Sequence, residues 1–65
     1  MKFGKKIKYF RNRECLSQRD LAEKSGICYS YISLIESGKK KNVSINVLTR
    51  IQHALNVTPT EFWGK

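Results

Sequence analysis

The sequence predicts an all-α fold of five short helices, and three observations point to it. Apolar residues recur at helical spacing along the whole chain. Capping signals (Ser17, Ser44, Thr58) precede three of the periodic stretches. One proline and four glycines in 65 residues argue against an all-β chain full of turns. Phe3, Ile7 and Phe10 stand at i, i+4 and i+7 and set a first helix over roughly 3–13. Ser17-Gln18-Arg19-Asp20 has the form of a capping box and opens a second helix. That helix turns Leu21 and Ala22 inward and stops near Ser25-Gly26. A third, over roughly 28–36, carries Ile32 and Ile35, with Gly38 just beyond its end. Ser44 caps a fourth, whose apolar stripe is Val47, Leu48, Ile51, Ala54 and Leu55. Thr58, Pro59 and Glu61 supply a cap, a proline at N1 and a box acid for a last short turn containing Phe62 and Trp63.

Sixty-five residues leave room for one domain, 1–65, with marginal stability, because a chain this short buries only about 60% of its unfolded surface. The net charge is +8 and the pI near 9.9, so self-repulsion is large and an anionic partner would relieve it. The charge is uneven. Lys2, Lys5, Lys6, Lys8, Arg11 and Arg13 all precede the first acid, Glu14, and Lys39, Lys40 and Lys41 form a second run. Either cluster taken alone is equally well read as a solvated face.

Several classes are excluded. Cys15 and Cys28 are too few for a disulfide scaffold, and with the single His53 they make no metal site within the chain. No apolar run reaches signal-peptide or membrane-span length, so a cytoplasmic protein with reduced thiols and no membrane contact is expected. Five scattered carboxylates, one histidine and no glycine-rich phosphate loop make no catalytic constellation, and neither an enzyme nor a cofactor is expected.

Function concentrates in the second and third helices. About three residues, Gly26 among them, separate two short helices, which is the sequence form of a helix-turn-helix. With the third helix drawn as a wheel, Ile32 and Ile35 face inward. Ser30, Ser33, Leu34 and Ser37 face outward, flanked by Tyr29 and Tyr31. Small side chains, hydroxyls and one apolar group are what a helix entering a major groove needs. A serine-rich exposed face is otherwise bland, but an exposed Leu34 has no use in a soluble monomer.

The segment SQRDLAEKSGICYSYISLIESG, Ser17 to Gly38, strongly resembles the Cro/repressor-type helix-turn-helix of phage and bacterial regulators, the xenobiotic-response-element class. Gln18, Leu21-Ala22, Gly26, Ile32, Ile35-Glu36 and Gly38 match its spacing, and the likeness runs on into ALNVTPTEFW. The resemblance implies a five-helix, lambda-repressor-like domain that binds double-stranded DNA, usually as a homodimer on a pseudo-palindromic operator. Tyr29, Ser30, Ser33, Leu34 and Gln18 would then read bases. Gln18, Tyr31, Ser37, Lys39, Lys41 and Asn42 would meet phosphates, contacts that position a protein without specifying sequence.

Arg11 and Glu36 lie on the inward stripes of the first and third helices, which suggests a partly buried ion pair, as the resemblance also does. Two positions depart from the family pattern. Cys15 stands where glycine is usual and a positive φ is expected, so the first loop is predicted to differ. Cys28 replaces the usual Ser or Thr cap of the third helix, and the cap should be weaker. His53 lies off the apolar stripe and reads as an ordinary surface histidine.

The whole reads as a transcriptional regulator, a repressor or a phage- or plasmid-type control protein. The alternatives are a protein-interaction module that keeps the fold and a non-specific nucleic-acid binder. The sequence leaves no room after the fifth helix for a separate oligomerisation domain, so a dimer would use the domain's own surface. Phe62 and Trp63 are the first candidates for that contact.

Overall fold

The computed structural model describes residues 3–64. Lys2, counted above in the basic cluster, lies outside them. Five helices follow in order: α1 (Phe3–Arg13), α2 (Gln18–Ser25), α3 (Tyr29–Glu36), α4 (Ile45–Ala54) and α5 (Pro59–Trp63). There is no strand among the described residues. Ile7, Leu21, Ile32, Ile51, Leu55 and Phe62 are fully buried, so every helix contributes to one core. Phe10, Ile27, Ile35, Leu48 and Val57 complete it.

The caps explain where the helices begin. The Ser17 hydroxyl accepts from the Asp20 amide at 3.0 Å, and the Asp20 carboxylate accepts from the Ser17 amide at 3.0 Å, closing a reciprocal capping box on α2. The Ser44 and Thr58 hydroxyls accept from the Val47 and Glu61 amides at 3.2 Å and cap α4 and α5, but without a return bond: Glu61, expected as a box acid, instead faces Arg13. Cys28 makes no capping bond through its side chain. The amide hydrogen bond from Ser17, with a further bond to its hydroxyl, holds the Asp20 carboxyl below the usual range. A group lowered on folding stabilises above its unfolded pKa and ceases to do so as pH falls through the folded one. The urea-midpoint difference between the protein and Asp20→Asn should therefore shrink on acidification; a constant difference would show that the carboxylate's charge is irrelevant.

Gly26 ends α2 in the left-handed region (φ 72°) and donates to the Ala22 carbonyl, as a glycine at this position does without strain. The first loop departs from expectation. Cys15 itself takes φ 58°, so the turn keeps a left-handed residue there and accepts the strain of a non-glycine side chain. The Glu14, Cys15 and Leu16 amides donate hydrogen bonds to the Phe10, Asn12 and Arg11 carbonyls and hold it in place.

Two further contacts fix α1. Gly4 is buried where α1 crosses the end of α3, and a Cβ there would fall on the Ile35 carbonyl oxygen. Lys6 donates from Nζ to the Phe62 and Gly64 carbonyls, at 2.6 and 3.2 Å. A cation at the end of α5 satisfies carbonyls with no partner in their own helix and faces the negative end of its dipole. Buried Gln52 donates from Nε2 to the Val57 carbonyl, which ties α4 to the turn before α5.

Candidate nucleic-acid interface

The turn between α2 and α3 is Gly26-Ile27-Cys28. Ile27 is buried, and its amide donates to the hydroxyl of buried Ser25 at 3.2 Å, so the turn is pinned to the core from both ends. With Ile32 and Ile35 inside, α3 turns Tyr29, Ser30, Leu34 and Ser37 outward, while Ser33 and Tyr31 are half-buried. Leu34 is 43% exposed and Tyr29 46%. The Ser37 hydroxyl donates to the Leu34 carbonyl at 3.1 Å and keeps its lone pairs for another donor.

Beyond α3 the chain runs as an exposed loop. The Leu34 carbonyl accepts from both the Lys39 and Lys40 amides at 3.1 Å, which holds the loop against the last turn of α3. Lys39, Lys41 and Asn42 project from it into solvent. The Lys40 ammonium lies 5.6 Å from the centre of the Tyr31 ring. Lys5 of α1 shares the rim of a groove of about 460 Å³ with Lys40 and Lys41, which extends the basic edge onto a third element. Of the amino-terminal cluster, Lys6 is engaged on α5, and Arg13 sits over the Phe10 ring and faces Glu61 at 3.5 Å.

Behind the outward face lies a charged node. Arg11 Nε donates to Glu36 Oε2 at 2.8 Å and Nη2 to Oε1 at 3.1 Å, while Nη1 donates to the Leu16 carbonyl at 2.7 Å. The two side chains are 11% and 4% exposed. The bond to Glu36 raises the Arg11 pKa above its ordinary value, with burial opposing. Gln18 joins the node: its Nε2 donates to Glu36 Oε1 at 3.1 Å. A carboxylate only accepts, so the amide nitrogen of Gln18 must face it. The side chain expected to meet phosphate or a base is thus partly committed to the interior.

One candidate contact needs correction. Phe62 is fully buried in the core, so its ring is closed to a second copy of the chain. Trp63, 40% exposed, stacks edge-on against Phe3 and Phe62, at 5.5 and 5.3 Å between ring centres. A feature that pattern reading missed lies at the head of α2. The exposed Arg19 guanidinium sits 5.2 Å from the centre of the Tyr29 ring, and no spacing rule joins residues ten apart on two helices. Among the described residues no group of His, Cys, Asp or Glu could hold a metal ion, and no helix is long and apolar enough to cross a membrane.

Comparison with known proteins bears on the whole domain. A family model described as "Helix-turn-helix" matches residues 7–62. The chain is 38% identical over 55 residues to the HTH-type transcriptional regulator SinR of Bacillus subtilis (strain 168), covering 85% of this chain and 50% of SinR. It is 37% identical over 60 residues to the HTH-type transcriptional regulator SlrR of the same organism, covering 92% of this chain and 40% of SlrR. The chain therefore spans half the length, or less, of these regulators. Among solved structures, the restriction-modification controller protein C.AhdI from Aeromonas hydrophila superimposes with a TM-score of 0.86 at 36% identity, over 94% of this chain and 91% of that one.

Proposed function

This chain belongs to the helix-turn-helix family, and on that premise we propose that it is a sequence-specific DNA-binding transcriptional regulator. The observation that carries the reading is the outward face of α3. It presents Tyr29, Ser30 and Leu34 beside a loop of exposed lysines, so a base-reading surface adjoins a phosphate-binding one. The similarity to SinR, SlrR and C.AhdI, two transcriptional regulators and a controller protein, supports it. The regulator acts in the cytoplasm, where Cys15 and Cys28 stay free thiols. It binds as a homodimer to a pseudo-palindromic site whose halves lie about 34 Å apart. With Phe62 in the core, Trp63 is the aromatic side chain near the carboxyl end left to meet the second copy.

Selection of bound duplexes from a random pool, followed by affinities across a salt series, tests this. Ser30→Ala and Leu34→Ala should change which bases are preferred, because a hydroxyl on a base edge and an apolar contact with a thymine methyl are both lost. Lys39→Ala and Lys41→Ala should weaken all duplexes alike and lower the salt slope by about one per lost phosphate contact. Unchanged preference in the α3 variants at full affinity would remove α3 as the reader. Binding indifferent to DNA would favour a protein-interaction module using the exposed Leu34.

A further inference from the structure

The outward face of α3 has an unusual shortage. Side chains that recognise a base through two hydrogen bonds are Arg or Lys on guanine and Asn or Gln on adenine. Tyr29, Ser30, Ser33, Leu34 and Ser37 include none of them. A face of hydroxyls and one leucine discriminates weakly by itself. Gln18, the nearest carboxamide on α2, has its amide nitrogen on the Glu36 carboxylate.

Two side chains of the required type stand against rings of α3: Lys40, from the loop beyond its last turn, on Tyr31, and Arg19, from α2, at its amino-terminal end. The Arg19 guanidinium lies over the Tyr29 ring, 5.2 Å from its centre. Arg11 and Arg13 face carboxylates, whereas no salt bridge involves Arg19 among the described residues. Stacking on an aromatic face leaves all five N–H donors of a guanidinium free at its edge and restricts the side chain before binding. Tyr29 is the first residue of α3, and recognition helices touch bases with their amino-terminal residues. The guanidinium therefore sits where α3 would enter the groove.

Resting on the DNA-binding reading above, we propose that Arg19, supported by Tyr29, is a specificity-determining residue that recognises the O6/N7 edge of a guanine in the major groove. Tyr29 is then a positioning residue as much as a contact. The pair adds two-point recognition to a surface where Gln18 has its amide nitrogen on Glu36.

The test begins with duplexes selected by the unmodified protein and with single-base changes at each position of the enriched site. Arg19→Ala should abolish the preference for guanine at one position, a loss of roughly 5- to 150-fold against the selected duplex. Its affinity for the duplex already changed at that position should match the parent's. Tyr29→Phe, which keeps the ring, should keep that preference, and Tyr29→Ala should reduce it. Uniform weakening of all duplexes by Arg19→Ala, with the salt slope lower by about one, would make Arg19 a phosphate contact and overturn the proposal. An enriched pool indifferent to Arg19 overturns this assignment alone. A parent protein that enriches no sequence overturns the DNA-reading function and the assignment together.

Discussion

Glu36→Ala is expected to lower the unfolding free energy by about 3 kcal/mol, because it strands a guanidinium that is nearly out of water. The substitution removes the acceptor for Arg11 Nε and Nη2 and for Gln18 Nε2 at once. A domain of this length has roughly 3–10 kcal/mol of stability in all, so the variant should be close to unfolding at room temperature. Lys40→Ala, in the exposed loop, should shift the urea midpoint little. Replacing Arg11 and Glu36 together with apolar residues of similar size should recover much of the loss, since neither charge is then left alone. Equal midpoints for Glu36→Ala and Lys40→Ala would refute the role given to the node.

Gly4→Ala should also be strongly destabilising, by about 2 kcal/mol, and the sign makes the experiment decisive. Helix propensity alone favours alanine over glycine inside a helix by about 1 kcal/mol. Against that, the added methyl group meets the Ile35 carbonyl and lies 3.1 Å from that of Glu36, so α1 must lift away from α3. Backbone atoms at the end of a packed helix cannot swing aside as a flexible side chain would. Chemical denaturation decides: a higher midpoint for Gly4→Ala would mean that the close approach does not constrain the fold.

Features governed by local chemistry were legible in the sequence. Ser17, Ser44 and Thr58 mark helix starts because a hydroxyl beside a free amide works the same way in any context. Arg11 and Glu36 could be paired from their positions on two inward stripes. The outward face of α3 followed from the burial of Ile32 and Ile35 by the same geometry. Contacts set by the crossing of distant elements were not legible. Gly4 reads as an unremarkable helix residue until α3 is laid across it, and Lys6 as one more surface cation until α5 arrives beside it. Phe62 and Trp63 both stand as contact candidates in the sequence, with core packing the stronger alternative for Phe62, because a one-turn helix has too few residues to show a period. Cys15 shows the limit of local preference. The turn demands a left-handed residue strongly enough that the chain puts a cysteine there.

The contact of α1 with α5 has a topological consequence. Lys6 holds the carbonyls of Phe62 and Gly64, and Phe3 packs on Trp63, so the first and last helices of the domain meet side by side. Phe3 at the head of α1 thus meets Trp63 on one side and, on the other, lines the groove it shares with Lys40, Lys41 and Val43. Covalent closure across that meeting point would need only a short linker, and a new opening between exposed Lys41 and Asn42 would leave the five helices and their core contacts as they are. The order in which the helices are strung together is therefore separable from the surface they build.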